Sequence, residues 1–194
     1  MAQTEIDRNP GLIIIGGSAG SLHVIFKLLS SLRNNYPVPV LIVLHRHPQE
    51  GSRLTEVLMA KTRIPVVEIE DKDLIRPGSV YVCPADYHVL LESDGSFSLD
   101  YSEKINYSRP SIDVTFSCAA DVYGDKTVAI LLSGGNADGA EGLHEILQKG
   151  GLTIVQDTRE AEVPYMPEQA LARDGRHVIM NTAEIQQYLS TLNG

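Results

Sequence analysis

The sequence contains few cysteines and no long apolar run. Only Cys83 and Cys118 occur among 194 residues, and each follows an apolar stretch. Two buried thiols are the simplest interpretation, because their number and spacing support neither a disulfide framework nor a metal site. No apolar run approaches the roughly 18 residues of a membrane-spanning helix, so we expect no membrane insertion. The polar first ten residues lack the apolar core of a signal peptide, which predicts a cytoplasmic protein.

The sequence also has fewer basic residues than acidic ones. There are 16 Lys and Arg against 25 Asp and Glu, a formal net charge of −9. Proteins that bind nucleic-acid backbones need a surplus of Lys and Arg, so no nucleic-acid partner is expected. The chain is long enough for one sizeable core but too short for two ordinary α/β domains. We predict a flexible segment over residues 1–10 and a single domain over residues 11–194.

What the sequence does contain is an alternation of short apolar runs and amphipathic segments. The runs lie at residues 12–15, 40–44, 66–69, 79–83, 127–132, 152–155 and 177–180. This pattern predicts an α/β fold of the Rossmann-like, three-layer kind, in which helices flank a doubly wound, mostly parallel sheet. Residues 87–91 and 96–101 interrupt the alternation, and Asp94-Gly95 between them predicts an inserted antiparallel β-hairpin.

Some packing and capping residues can be assigned to particular helices. The first helix should bury the apolar residues that share one of its faces, namely Leu22, Ile25, Phe26, Leu29 and Leu32. Ser52 is the candidate N-cap of the second helix, and Thr182 that of the terminal helix. Pro167 fits the first position of the helix before the last strand, where its missing N–H is not needed.

Three predicted strands end in residues that can carry chemistry. The first strand leads to Ser18, the second to His45, and the strand at 127–132 to a Gly-rich loop with Asp138. Open α/β sheets bind ligands at the carboxyl ends of their strands. A serine, a histidine and an aspartate at one edge are what a Ser-His-Asp hydrolase requires, because the imidazole takes the serine proton and the carboxylate orients the imidazole. This chain order differs from those of α/β-hydrolases, chymotrypsin and subtilisin.

Each of these residues has another interpretation. Ser18 at a strand-to-helix turn could also bind a phosphate, although the G-x-G-x-x-G and G-K-[ST] patterns are absent. His45 and His47 form an H-x-H pair, but no further ligand group lies at metal-site spacing, so neither a metal nor a cofactor is expected. Asp138 could cap the helix beside it. Arg109 could be an ordinary surface residue or an anchor for an anionic substrate.

Five segments in a fixed order carry a family resemblance. They are Ile15-Gly16-Gly17-Ser18-Ala19-Gly20, Leu44-His45, residues 76–88, Arg109-Pro110-Ser111-Ile112-Asp113-Val114 and residues 131–143. Together they resemble the catalytic domain of the chemotaxis protein-glutamate methylesterases, the CheB methylesterase family. The resemblance implies a serine hydrolase that cleaves methyl esters of glutamates in methyl-accepting chemotaxis receptors and deamidates certain receptor glutamines.

The resemblance also implies roles for individual residues. Ser18 would be the nucleophile, His45 the general base and Asp138 the partner that orients it. The backbone N–H of Ala19 would stabilise the oxyanion, with a second donor near Gly135. Arg109 would help to hold the substrate segment. A receiver domain or a methyltransferase acting in trans is a further implied partner.

The chain departs from the family pattern in three places. Ala19 stands where threonine is common, and Ser21 where glycine is usual. The loop from Gly134 to Asp138 lacks the methionine of the usual Gly-Met-Gly-x-Asp, which removes an apolar wall. No receiver domain precedes Leu12, so we expect an esterase domain that acts alone or a part of a longer protein. These departures leave a catalytically weakened binding or regulatory module as the alternative function, and a nucleotide-binding protein as a third.

Overall fold

A computed structural model describes residues 9–46 and 53–193. Ser52, His47 and most of the predicted flexible segment therefore lie outside the described residues. In chain order the strands are β1 (Leu12–Gly17), β2 (Val40–Leu44), β3 (Val66–Glu68), β4 (Val80–Val82), β5 (His88–Leu91), β6 (Phe97–Asp100), β7 (Thr127–Leu131), β8 (Leu152–Gln156) and β9 (Val178–Met180). The α-helices are α1 (Leu22–Ser30), α2 (Arg53–Met59), α3 (Ile112–Tyr123), α4 (Ala140–Gln148), α5 (Tyr165–Arg173) and α6 (Thr182–Thr191).

Seven strands form one parallel sheet in the order β3-β4-β2-β1-β7-β8-β9. Strand β1 lies at its centre, and every residue of β1, β2, β7 and β8 is buried. Such continuous burial is what helices on both faces of a parallel sheet produce. One apolar core contains residues of α1 and α6, and the other contains residues of α3, α4 and α5. The predicted doubly wound α/β fold is confirmed.

The antiparallel insertion is confirmed as well. Strands β5 and β6 pair from His88 with Asp100 to Leu91 with Phe97, as a separate two-stranded sheet. Val89, Leu91 and Phe97 of this sheet belong to the same apolar core as α3, and the Thr115 hydroxyl of α3 donates to the carbonyl of Val89 at 3.0 Å. The insertion thus packs against the helix that follows it and leaves the main sheet uninterrupted.

The predicted face of α1 is only partly right. The buried residues of α1 are Val24, Ile25, Leu28 and Leu29, whereas Leu22 is 38% exposed. Two apolar stripes overlap on this helix, and the parallel sheet selects the one at positions i, i+1, i+4 and i+5. A thiol also differs from expectation, because Cys83 is buried but Cys118 is only half-buried; both are free.

Two helix starts differ from the prediction. Helix α5 begins at Tyr165, so Pro167 is its third residue, still within the first turn where backbone N–H groups have no partner in the helix. Helix α6 is capped by Asn181, not by Thr182: the Asn181 side chain accepts from the Glu184 N–H at 2.9 Å, and Glu184 accepts from the Asn181 N–H at 2.8 Å. This reciprocal pair satisfies two donors at once, which one hydroxyl could not do.

Candidate active site

The ends of β1, β2 and β7 bring the predicted serine and histidine to neighbouring positions. Gly17 pairs with Leu44, and the His45 N–H donates to the Gly17 carbonyl at 3.2 Å. On the other side, the Ser18 N–H donates to the carbonyl of Ser133 at 2.9 Å. Ser18 therefore stands between the end of β2 and the loop that follows β7. Parallel neighbours lie about 4.8 Å apart, so the first residues beyond β1 and β2 are close.

The turn after Ser18 is closed by Ser21, one of the departures from the family pattern. The Ser21 hydroxyl donates to the Ser18 carbonyl at 2.6 Å, and Ser21 is fully buried. Gly20 has a φ of +79°, and a Cβ there would lie 2.6 Å from the Cβ of Glu162. The turn thus needs glycine at position 20, and Ser21 stabilises it through its hydroxyl. Ser18 itself is partly exposed at the edge of the sheet.

His45 and Asp138 form a close pair. The Nε2 atom of His45 lies 2.7 Å from Oδ2 of Asp138, with the two side chains 11% and 0% exposed. Because the buried carboxylate accepts, Nε2 carries the proton and Nδ1 keeps a free lone pair. This assignment makes Nδ1 the nitrogen that can take a proton from a nucleophile.

Asp138 also caps a helix, but not the one beside it. Its Oδ1 accepts from the Ser111 hydroxyl at 2.8 Å and the Asp113 N–H at 3.0 Å, and its Oδ2 accepts from the Ile112 N–H at 2.7 Å. These donors begin α3, whereas α4 starts after Gly139 without a side-chain cap. The hypothesis that Asp138 caps the adjacent helix is therefore wrong. A fully buried carboxylate with four donors is held in one orientation.

Burial by itself would raise the pKa of Asp138, but its donors prevail. Hydrogen bonds from His45 and from the N–H groups of Asp113 and Ile112 hold its pKa below the ordinary value. Asp113, in the first turn of α3, behaves in the opposite way. Burial, with the nearby charge of Asp138, raises the pKa of Asp113 to about 6. The pKa values of the two carboxyl groups are therefore shifted in opposite directions, and Asp138 is the one that stays charged beside His45.

The Nδ1 side of His45 is lined by residues that the sequence did not single out. The Ser108 hydroxyl lies 3.4 Å from His45 Nδ1, and the Asn136 Nδ2 lies 3.4 Å from the same hydroxyl. Asn136 also accepts from the Asp138 N–H at 3.2 Å. Ser108 precedes the Arg-Pro-Ser segment and Asn136 lies in the altered loop, so proximity to those motifs is the only sequence signal for either residue.

The two expected oxyanion donors, the N–H groups of Ala19 and Gly135, differ in hydrogen bonding from the N–H groups of the residues that precede them. The Gly134 N–H donates to the Val163 carbonyl at 3.0 Å, and the Ser18 N–H is used as described above. For the backbone N–H groups of Ala19 and Gly135, no acceptor occurs among residues 9–46 and 53–193. Both residues are exposed. These N–H groups are available to a ligand, as an oxyanion site requires, and their role stays a prediction.

Arg109 is built into the fold. Its Nε and Nη2 donate to Oδ1 of Asp86 at 3.2 and 2.8 Å, and its Nη1 donates to the carbonyls of Tyr101 and Ser102 at 3.1 and 2.6 Å. The guanidinium also lies 3.8 Å from the centre of the Tyr101 ring. The hydrogen bond to Asp86 raises the pKa of Arg109 and lowers that of Asp86. Every guanidinium nitrogen has a protein acceptor, which favours a positioning role over contact with substrate.

Metal and membrane features can be judged only for the described part of the chain. There, no group of three or more His, Cys, Asp and Glu side chains is arranged to hold a metal ion. Within the same ranges, no helix combines the length and apolar character that crossing a bilayer demands.

The fold and this site define a parallel α/β domain with a histidine–aspartate pair beside a serine at the carboxyl edge of the sheet. The family model described as CheB methylesterase matches residues 13–189. The chain belongs to the CheB methylesterase family.

Individual relatives agree with this assignment. The chain is 37% identical over 181 residues to a putative protein-glutamate methylesterase/protein-glutamine glutaminase of Leptospira interrogans, covering 93% of this chain and 94% of that protein. It is 31% identical over 184 residues to the corresponding protein of Thermotoga maritima, covering 93% of this chain and 54% of that one. The crystal structure of the Thermotoga maritima CheB methylesterase catalytic domain superposes with a TM-score of 0.89 at 31% identity, over 94% of this chain and 98% of that one.

Proposed function

We propose that the protein is a serine hydrolase that demethylates glutamate γ-methyl esters, and deamidates glutamines, in methyl-accepting chemotaxis receptors. Ser18, His45 and Asp138 form its catalytic triad. The observation that carries this proposal is the 2.7 Å contact between His45 and the buried Asp138, made next to the strand end that bears Ser18. Membership of the CheB methylesterase family supplies the substrate class.

The geometry supports a particular sequence of proton transfers. Ser18 Oγ attacks the ester carbonyl while His45 Nδ1 takes its proton, and Asp138 stabilises the imidazolium through Nε2–H. The negative oxygen of the tetrahedral intermediate accepts from the N–H groups of Ala19 and Gly135. Nδ1 then returns the proton to the departing methoxide, and methanol leaves an acyl-enzyme.

Water completes the cycle by the same route. His45 Nδ1 takes a proton from the attacking water, and the second tetrahedral intermediate collapses to free carboxylate and Ser18 hydroxyl. With glutamine, ammonia replaces methanol as the leaving group. Negative charge on the product is generated where α1 begins, at the positive end of its dipole.

One observation favours the alternative of a catalytically weakened binding module. No hydrogen bond to the Ser18 hydroxyl occurs within the described ranges, and His45 Nδ1 contacts Ser108 instead. Catalytic hydrogen bonds in unliganded enzymes are often long and tighten only with substrate. The register of β1 and β2 keeps Ser18 beside His45, so we favour the active enzyme.

Methanol release from a methylated receptor fragment tests the proposal. We expect Ser18→Ala to reduce kcat by about 10⁶-fold, as loss of a nucleophile does in serine hydrolases. Ser30→Ala is the matched control, because Ser30 is an exposed serine of α1 whose hydroxyl donates to the Lys27 carbonyl and to no other group in the described part of the chain. Activity that survives in Ser18→Ala would reject the assignment of the nucleophile. No methanol release from the unaltered protein would support the binding module.

The remaining partners also stay proposals. A receiver domain or a methyltransferase would act on this domain in trans, and a cytoplasmic location follows from a receptor substrate of this kind. Methanol release should be measured with a copurified receiver domain in its phosphorylated and unphosphorylated states. A difference in rate between the two states would identify such a partner.

A further inference from the structure

A tight turn over residues 105–108 lies directly beside the candidate active site. Ile105 and Ser108 exchange backbone hydrogen bonds of 3.2 and 2.9 Å, and the two residues between them are left-handed, with φ of 49° at Asn106 and 62° at Tyr107. Turns of this kind prefer Asn followed by Gly. Asn106 fits that preference, but a tyrosine at the second position is strained relative to glycine or asparagine.

The side chain of Tyr107 contributes little to the fold. Tyr107 is 98% exposed, more than any other large apolar or aromatic residue in the described ranges. No ring contact or side-chain hydrogen bond of Tyr107 occurs there either. By contrast, Tyr101 is stacked on Arg109 and lies 5.5 Å from the Tyr87 ring. An aromatic ring held in water by a strained backbone is unfavourable for stability, and such strain concentrates at functional sites.

The turn contacts the candidate site at two points. Ser108 lies 3.4 Å from His45 Nδ1, and the Asn136 amide lies 3.4 Å from the Asn106 carbonyl. The Asn106 amide donates in turn to Asp113 at 3.2 Å. Tyr107 precedes Ser108, and consecutive Cα atoms are only 3.8 Å apart. Its backbone therefore lies at the rim of the site, one residue from the side chain that contacts the base nitrogen, and its ring extends from there into solvent.

We propose that Tyr107 is a specificity-determining residue, whose ring packs against the polypeptide that flanks the reacting side chain of a protein substrate. This inference rests on the proposed function and concerns the recognition of its substrate. The ester group alone is small, but the protein that carries it must cross the rim on either side of Ser18. Tyrosine suits this contact, because it offers a large, amphipathic surface with few rotatable bonds.

The test separates recognition from chemistry by using two substrates. One is a methylated receptor cytoplasmic fragment, and the other is a capped single residue, N-acetyl-glutamate γ-methyl ester N′-methylamide. In Tyr107→Asn, we expect KM for the fragment to rise about tenfold, as truncating an aromatic contact typically does. Hydrolysis of the capped residue should stay within about twofold. The melting temperature should stay equal or rise, because asparagine tolerates the left-handed turn.

A matched control and a binding measurement complete the design. Met59→Ala removes another exposed apolar side chain, which is 51% exposed at the end of α2. It should change neither KM for the fragment nor hydrolysis of the capped residue. Binding of the fragment to Ser18→Ala and to Ser18→Ala/Tyr107→Asn measures recognition without turnover, and we expect the double variant to bind about tenfold more weakly.

Two results would overturn the proposal: unchanged KM and binding of the fragment, or an equal loss on both substrates. If the unaltered protein hydrolyses neither ester, the proposed function fails, and the binding comparison still decides the role of Tyr107.

Discussion

The candidate site has two halves that are built in opposite ways. His45 and Asp138 are closed into the fold: the carboxylate is fully buried and has four donors, one of them the imidazole. The turn at Ser18 and Ala19 is open: Ser18 is partly exposed, and the Ala19 N–H has no acceptor among the residues that the structure describes. Under the proposed function, proton acceptance is organised before substrate arrives, whereas the nucleophile and oxyanion groups gain their partners from substrate.

The closed half also stabilises the fold, which the open half does not. Asp138 accepts the first N–H groups of α3 and so ties the loop after β7 to the helix beside the hairpin. Substitutions in the closed half should therefore affect activity and stability together. Substitutions in the open half should affect activity alone.

The largest combined effect on activity and stability is expected from Asp138→Asn. The amide cannot accept all four donors, so His45 loses its orienting partner and kcat should fall by about 10⁴. Leaving buried donors of α3 unsatisfied should also lower the free energy of unfolding by about 2–4 kcal/mol. Methanol release and urea denaturation measure the two effects.

Asp121→Asn is the control for that experiment, since Asp121 lies on α3, the helix whose first N–H groups Asp138 accepts, is 75% exposed, and among the described residues pairs with exposed Lys149 alone. Exposed pairs contribute little, so both measurements should stay near those of the unaltered protein. A normal free energy of unfolding in Asp138→Asn would show that the halves do not differ in the way proposed.

A smaller effect on activity is expected from Gly134→Ala. A Cβ at Gly134 would lie 2.4 Å from Cε of the buried Met166 and 3.1 Å from the Cβ of Ser18. Met166 must move and Ser18 with it, and a small misplacement of a nucleophile should reduce kcat by about tenfold to a hundredfold. Gly175→Ala is the matched control, because no described atom lies within 4 Å of a Cβ at that position and Gly175 has no role in the proposed site. Equal rates in the two variants would contradict this account.

Much of this organisation could be predicted from the sequence, because strand ends are marked by local patterns. The apolar runs before Ser18 and His45 locate both residues at one edge of a parallel sheet. The identity of the helix that Asp138 caps could not be predicted, since its donors lie about two dozen residues earlier in the chain and meet it only after the sheet has formed. Arg109 shows the same limit: its carboxylate partner, Asp86, belongs to the segment before the hairpin.

Local patterns also fail where two choices fit equally well. Helix α1 carries two overlapping apolar stripes, and only packing on the sheet distinguishes them. At α6 the sequence does carry the signal, since Asn181 and Glu184 have the spacing of a capping box, and the predicted cap Thr182 lies one residue beyond the actual one.

A pH-dependent difference should separate the two carboxyl groups at the start of α3, Asp113 in its first turn and Asp138 in the loop after β7. The pKa of Asp113 in the folded protein, about 6, lies above the unfolded value of about 3.9. Its contribution to stability is therefore complete below pH 4 and is lost as pH rises through 6. The pKa of Asp138 is lowered, so its contribution is present above pH 4 and is lost as pH falls.

Asp113→Asn removes the first of these contributions. The unfolding free energy of the unaltered protein, minus that of Asp113→Asn, should fall by on the order of 1–2 kcal/mol between pH 4 and pH 7. Urea denaturation at several pH values measures the difference, and Asp121→Asn should give a flat line. A flat difference would mean that Asp113 ionises as readily as an exposed carboxyl, and one that rises with pH would mean that it ionises more readily; either result would contradict the opposition between the two groups.

The smallest effect is expected where the two halves meet, at Ser108. Its hydroxyl lies 3.4 Å from His45 Nδ1 and competes with Ser18 for the same lone pair. A contact this long is weak, so Ser108→Ala should raise kcat on a small methyl ester by only about twofold to threefold. Asn136→Ala removes the amide that contacts the Ser108 hydroxyl but leaves the hydroxyl in place, so it should raise kcat less than Ser108→Ala does. A fall in kcat for Ser108→Ala would instead make Ser108 part of the closed half, because the hydroxyl would then be holding the imidazole in place for Ser18.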